Sequence, residues 1–400
     1  MKKLSFLANA LWAASSLPGA LLFERAASRV EETQRKLLRR YLRQNENTLF
    51  GREHGFSEIS SFEDFREKVP LSSYENFLPY VERIGGGEND VLFPGKPIRF
   101  EPTSGSASAT KNIPYNRALK KEFQAGLSPW IADLFKNLPA SMRGRAYWSI
   151  SPASIGEKFT EGGIPVGFED DSEYLGPLAR RLMGEVLAVP SLVSKLNDIE
   201  DVRYVTLLFL LAAEDLSLIS IWNPTFLTLL LQPLGEWLPR ISEDLARGKI
   251  SLSLPEEIRG ELEKSLGRHP RRARAIREIF EKKGDSPDLF ESLWPNLALI
   301  SCWTEASAYG PFSELKKNFP RVKIQSKGLL ATEGIISFPL LHHGAALCLR
   351  SHFFEFLPSD GKNPLPAWEI KEGERYFLVM TTGGGLYRYQ LGDLVEVTGF

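Results

Sequence analysis

Cysteine is scarce in this 400-residue chain, with Cys302 and Cys348 the only two. Two thiols exclude a disulfide framework, and no Cys/His spacing offers a zinc site. A reducing, cytoplasmic setting is therefore expected. An excess of either charge is lacking too: Lys+Arg 49 stand against Asp+Glu 50, a formal net charge of -1. Nothing global then points to nucleic acid or to an anionic membrane surface. Internal repeats, low-complexity tracts and obvious Pro/Gly/Ser linkers are also missing. What is present is 43% hydrophobic and 25% charged residues. Such a chain buries enough apolar surface to offset the entropy lost on folding.

Uninterrupted apolar runs are few. Met1 to Ala27 carries Lys2 and Lys3 ahead of an alanine-rich stretch, the outline of a secretory signal with a small-residue position near Ala13-Ala14-Ser15-Ser16. Glu24 and Arg25 continue into an amphipathic pattern, Ala26, Val30, Leu37, Leu38, Tyr41 and Leu42, which favours an N-terminal helix docked on a domain. Val205 to Leu231 is interrupted by Glu214, Asp215 and Asn223-Pro224. Neither half reaches the ~18 apolar residues of a span. Two buried helices meeting at a Trp-Asn-Pro corner are expected, with Pro224 in the first turn of the second.

Helical periodicity dominates to about Ser292, including Glu24 to Asn45, Tyr74 to Ile84, Asn116 to Asn137 and Arg271 to Lys283. After Leu297 short β-rich runs take over, separated by Gly, Pro, Asn or Asp. This predicts an α/β fold, helices packed on β-sheets with a barrel-like, strand-rich portion towards the C-terminus. The chain reads as one large domain, 1–400, with subregions 1–296 and 297–400. The arginines at 268, 271, 272, 274 and 277 share a helix with Glu278 and Glu281 and lack interleaved aromatics, so a solvated face is expected.

Three stretches carry chemistry. Glu101-Pro-Thr-Ser-Gly-Ser-Ala-Ser-Ala-Thr-Lys111 gathers hydroxyls and small residues before a lysine. Small residues admit backbone N–H groups to a phosphate, and the lysine adds charge. A Walker loop fails at Thr110 and Asn112, leaving a phosphate loop of another kind or a Ser/Ala turn. Lys327-Gly-Leu-Leu-Ala-Thr-Glu333-Gly334 could set a carboxylate at the end of an element, where it could hold magnesium, or form a surface turn. Thr381-Thr-Gly-Gly-Gly-Leu-Tyr-Arg388-Tyr-Gln-Leu-Gly-Asp393 breaks the dinucleotide fingerprint at Arg388. Asp393 suits a ribose diol, Arg388 a phosphate or carboxylate, and a Gly-rich hairpin is the alternative. His342, His343 and His352 have no G-x-S-x-G partner, and Cys302 reads as a packed thiol.

In order, these stretches resemble the three nucleotide-binding motifs of adenylate-forming enzymes. More narrowly, the chain resembles the auxin-responsive Gretchen Hagen family of acyl-acid amido synthetases, in particular bacterial-type members. Asn47-Thr-Leu-Phe-Gly51, Thr103-Ser-Gly105, Ile221-Trp-Asn-Pro-Thr-Phe-Leu227, Lys327 to Gly334 and Leu386-Tyr-Arg-Tyr-Gln-Leu-Gly-Asp393 carry the likeness. The resemblance implies ATP- and Mg2+-dependent adenylation of a carboxylic acid, then transfer to an amine, usually of an amino acid. Thr103, Ser104, Gly105, Ser106, Ser108 and Lys111 would hold the β- and γ-phosphates. Thr332 would lie near the α-phosphate, Glu333 would help hold magnesium, Asp393 would bind the ribose and Arg388 would steady that loop. Ser106 and Ala109 depart from the family's usual Thr and Gly, and Ala109 restricts the backbone. The family continues past the position of Phe400 into a small domain bearing a catalytic lysine, so this chain reads as the large domain alone. A non-catalytic nucleotide- or acyl-binding domain is the alternative.

Overall fold

The computed structural model describes residues 2–103, 111–149, 158–167, 184–284, 286–361 and 363–400. Its centre is a parallel sheet whose strands Ala146–Trp148, Leu218–Ser220, Leu299–Cys302 and Lys323–Ser326 are neighbours in that order. Helices pack on both faces, and the first three strands are buried at every position rather than alternately. Leu218–Ser220 lies inside the run expected to hold two helices and a corner, and is a correction. A three-residue strand buried on both faces has no period of its own to set it apart from flanking helices. The flanking helices are Ile199–Ala212 and Pro224–Leu231. Asn223 caps the second by accepting from the Thr225 N–H at 2.9 Å, and Pro224 opens its first turn as expected.

Helix Arg117–Asn137 is the long brace of the molecule. Asn116 starts it, accepting from the Leu119 N–H at 2.9 Å. Against it lies helix Lys2–Ala27, a docked helix as the sequence favoured. Asn9 donates to the Met142 and Gly144 carbonyls at 3.0 and 2.8 Å, and Trp12 packs edge-on to Phe135. Gly19 sits so close to Ser128 that an added Cβ would come within 2.5 Å of its Cβ. This is the one helix among the described residues long and apolar enough to cross a membrane, and its outer face leaves Leu4, Leu7, Leu11 and Leu21 exposed. The single helix expected over Glu24 to Asn45 is broken at Ser28 and Arg29, and a separate helix covers Val30–Asn45. Arg29 leaves helical geometry at φ -144, ψ 56.

The strand-rich end forms an antiparallel sheet in the order Leu365–Pro366, Phe353–Pro358, Arg375–Thr381, Tyr389–Glu396. Hairpins Leu330–Ala331/Gly334–Ile335 and Ser337–Leu340/Gly344–Leu347 lead into it. Strands Leu299–Cys302 and Lys323–Ser326 follow the change of texture at Leu297, yet pair with the early strands of the parallel sheet. A second apolar core joins residues 37–113 to the antiparallel sheet, with Phe65, Phe77, Phe353 and Tyr387 fully buried. In the arginine-rich helix Pro270–Lys283, Arg271, Arg274 and Arg277 are exposed as expected. Arg272 is a correction: it donates to the Leu211 and Leu293 carbonyls at 2.8 and 2.6 Å, tying two helices together.

Candidate functional site

Strands Arg99–Pro102 and Asn112–Tyr115 pair antiparallel and bracket the Ser/Thr/Gly stretch. Thr103 closes their end by donating its N–H to the Lys111 carbonyl at 2.8 Å. Its Oγ1 is buried and has no hydrogen-bond partner among the described residues. Ser104, Gly105, Ser106 and Ser108 lie outside the described residues.

Thr332 and Glu333 are the two turn residues of the hairpin Leu330–Ala331/Gly334–Ile335. A surface turn would leave such a carboxylate in water, but Glu333 is only 7% exposed. Its Oε1 accepts from the Tyr389 hydroxyl at 3.1 Å. The Lys111 Nζ lies 3.4 Å from that same hydroxyl, and 5.6 Å from the Tyr74 ring centroid. Tyr389 thus joins the last residue of the first motif to the carboxylate of the second, while belonging itself to the third. Burial, and then the Glu333 charge, push its phenol well above the ordinary range, so it stays neutral and donates. A cleft of about 410 Å³ reaches Lys111, with Tyr74, Glu75, Asn112 and Thr160 on its walls.

Arg388 and Asp393 stand differently. Arg388 is buried, and its Nε and Nη2 hold Glu355 at 2.9–3.2 Å. Its Nη1 donates to the Arg66 and Val69 carbonyls at 3.0 and 2.8 Å. A guanidinium so engaged steadies the strand rather than reaching for a ligand. The residue sits at φ +47, a left-handed conformation that costs a side-chain-bearing residue about 1–3 kcal/mol. Ser72 holds it there, donating to the Arg388 carbonyl at 3.0 Å and accepting from the Gln390 N–H at 2.9 Å. Asp393 is exposed, at a bulge where the register jumps from Val379↔Gln390 to Phe377↔Leu394. Gly392, at φ +92, permits that bulge. Neither residue touches the Lys111–Tyr389–Glu333 chain in the described contacts.

Behind this chain is a buried network that sequence reading missed. The Glu122 carboxylate accepts from the Gly383 N–H at 3.0 Å and lies 2.6 Å from the Tyr41 hydroxyl. Its Oε2 is 3.1 Å from His352 Nδ1. His352 Nε2 accepts from the Ile335 N–H at 3.1 Å, so the ring proton resides on Nδ1, facing Glu122. An added Cβ at Gly383 would lie 2.4 Å from Glu122, and one at Gly334 2.5 Å from His352. The glycines of two motifs are thus close-approach glycines, each seated on one member of the pair. Of the three neighbouring histidines, His342 and His343 are exposed and only His352 is buried. Cys302 is a packed thiol as expected, its pKa pushed up to about 11 by burial.

Among the described residues no cluster of three or more His, Cys, Asp or Glu is poised for a metal. A magnesium ion carried in on phosphates needs only one or two protein carboxylates. Glu333, linked to Lys111 through the Tyr389 hydroxyl, can supply one such carboxylate.

Comparison with known proteins bears on the same features. Residues 21–324 match the family model described as "GH3 family N-terminal domain", and 345–400 that of the "GH3 family central domain". A probable indole-3-acetic acid-amido synthetase of Oryza sativa subsp. japonica is 24% identical over 94% of this chain and 68% of its own length. An indole-3-acetic acid-amido synthetase of Arabidopsis thaliana is 26% identical, over 94% and 70% respectively. The solved structure of the AtGH3.15 acyl acid amido synthetase in complex with 2,4-DB superposes with a TM-score of 0.84 at 20% identity, covering 97% of this chain and 69% of that one. The chain belongs to the GH3 family, the Gretchen Hagen family whose motifs the sequence displays.

Proposed function

We propose that this chain houses the acyl-adenylating site of an ATP- and Mg2+-dependent acyl-acid amido synthetase. The observation that carries this is the meeting of three motifs at Tyr389, between Lys111 and Glu333. In this reading Lys111 and Thr103, with Ser104, Gly105, Ser106 and Ser108, hold the β- and γ-phosphates. Thr332, in the hairpin turn, faces the α-phosphate. Glu333 helps hold magnesium, which when bound offsets the charge of departing pyrophosphate. Tyr389 aligns Lys111 and Glu333 from the protein side. Asp393, exposed on its bulge, is free to accept from ribose hydroxyls, and Arg388 holds the strand that presents it. Catalysis is then chiefly positioning and electrostatics. The substrates are a carboxylic acid and an amino acid or other amine, and the setting is cytoplasmic.

ATP titration by calorimetry, together with ATP–pyrophosphate exchange over a panel of carboxylic acids, tests the reading. The exchange is run with and without a relative's C-terminal domain supplied in trans. Mg2+-dependent nucleotide binding and acid-dependent exchange are expected; a chain that binds no ATP under either condition sinks the proposal. Asp393→Ala is expected to weaken ATP binding by about 1–3 kcal/mol, the order for losing a charged hydrogen-bond partner. Unchanged nucleotide affinity would remove Asp393 from the ribose site.

A further inference from the structure

Helix Lys2–Ala27 has two apolar faces, and the fold uses only one of them. The inner face docks on helix Arg117–Asn137 through Trp12 and Phe135, and Ser5, Asn9 and Ser16 are buried on that side. On the outer face Leu4, Leu7, Leu11, Leu21 and Leu22 are 42–54% exposed. Steps of three and four residues join them, through exposed Ala14 and Pro18, into one stripe along the helix. Phe6 and Leu17, 49% and 52% exposed, widen it on one flank. These seven are nearly half of the fifteen large apolar side chains exposed among the described residues, so the exposure is a patch rather than a scatter.

No charged residue interrupts positions 4–23. The same spacing leads to position 3 at one end and 25 at the other, a lysine and an arginine about 33 Å apart along the helix axis. The balanced charge of the whole chain hides a local excess here. Residues 1–45 hold nine Lys and Arg against three Asp and Glu, in a chain whose formal net charge is -1. Glu24 is the only acid of the first helix, and Glu31 and Glu32 are engaged with Arg35 and Arg29. Arg25, Lys36, Arg39 and Arg43 are exposed. Arg143 is exposed beside the first helix, since Asn9 donates to the carbonyls on either side of it, those of Met142 and Gly144.

A second copy of the chain would press this positive excess against itself. A surface of anionic lipid takes the leucines and the cations together. The buried Ser5, Asn9 and Ser16 set the depth. A helix that left the protein to span a bilayer would carry all three into hydrocarbon, whereas one lying in the interface keeps its inner face docked. The match to the GH3 N-terminal domain begins at residue 21, so most of the stripe lies ahead of the part matched to the family.

We propose that the outer face of helix Lys2–Ala27 is a membrane-docking surface, which seats the protein on anionic lipid with its leucines at the headgroup–acyl boundary. This goes beyond the adenylation reading and does not depend on it.

Flotation of the whole chain with vesicles of phosphatidylcholine alone, and of an equal mixture with phosphatidylglycerol, tests the surface. Binding about tenfold or more tighter to the anionic vesicles is expected, weakening with salt and released by alkaline carbonate. Leu7→Glu with Leu11→Glu, both at exposed positions, is expected to lose vesicle binding with thermal midpoint and ATP affinity unchanged. Arg25→Glu keeps the stripe and is expected to narrow the preference for anionic lipid. No binding to either vesicle, equal binding to both, or binding that survives the two leucine substitutions overturns the proposal. Retention after carbonate extraction overturns it too, because the helix then spans rather than lies on the bilayer. A concentration-dependent dimer in analytical ultracentrifugation that the leucine substitutions abolish assigns the face to a second copy instead.

Discussion

Arg388→Met is expected to destabilise the fold by about 3–5 kcal/mol, the range for stranding one partner of a buried ion pair. The guanidinium and Glu355 are both almost wholly buried, at 5% and 1% side-chain exposure. Burial this deep keeps solvent from taking over from the lost cation. Two backbone carbonyls, of Arg66 and Val69, lose their donor in the same step. The loss should also depend on pH. Burial already raises the Glu355 pKa above its ordinary value, and Arg388 is the largest opposing influence. Without it the carboxyl holds its proton more strongly still. The folded state then binds more protons than the unfolded one between the two pKa values, so stability falls as pH rises through that window. The variant should therefore be closer to wild type at pH 5 than at pH 8. Urea denaturation at both pH values measures this, and Arg388→Met with Glu355→Leu should recover much of the loss. A single variant within about 1 kcal/mol of wild type at pH 8 would show that the pair is no strut.

How much of this could be read from sequence follows from where each signal resides. Candidates such as Lys111 and Thr332-Glu333 stood out because phosphate chemistry would need particular side chains close together in the chain, whereas Tyr389, which joins Lys111 to Glu333, did not. Nor did their depth: nothing local says that a Thr-Glu turn is buried against a tyrosine 56 residues later. Arg388 read as a ligand for phosphate or carboxylate, and the carboxylate is the protein's own Glu355. That partner lies inside an apolar strand, Phe353–Pro358, where alternation offers no contrast. Glu122 left a usable trace. In helix Arg117–Asn137 the buried stripe runs through Leu119, Phe123, Gly126 and Trp130, and Glu122 stands within it. An acid on the buried face of an amphipathic helix demands a partner. Its partners, Tyr41, Gly383 and His352, come from three distant segments that no spacing rule connects.

That network supports the second large effect. Glu122→Leu keeps the bulk of the side chain but removes the acceptor for the Gly383 N–H and the Tyr41 hydroxyl, and the carboxylate that faces His352 Nδ1 at 3.1 Å. Each buried donor left unpaired costs about 1–3 kcal/mol. Tyr41 keeps the Ser351 carbonyl at 2.6 Å as an alternative, so the Gly383 N–H is the donor orphaned outright and a loss of about 1–3 kcal/mol is expected. Geometry makes the consequence more than thermal. Glu122 touches the glycine run ahead of Arg388 directly, and reaches the Thr332–Glu333 hairpin through the His352 ring and the Ile335 N–H. Freeing either end lets Tyr389 and Glu333 drift apart, and misplacements of about 1 Å can cost 100-fold in rate. Pyrophosphate exchange should therefore fall at temperatures where the variant remains fully folded. A double-mutant cycle with His352→Leu separates this from general loosening. If the pair acts as one clamp, the double variant is little worse than either single, a coupling of about 1 kcal/mol or more. Strict additivity in both stability and exchange would mean that Glu122 and His352 support the two motifs independently.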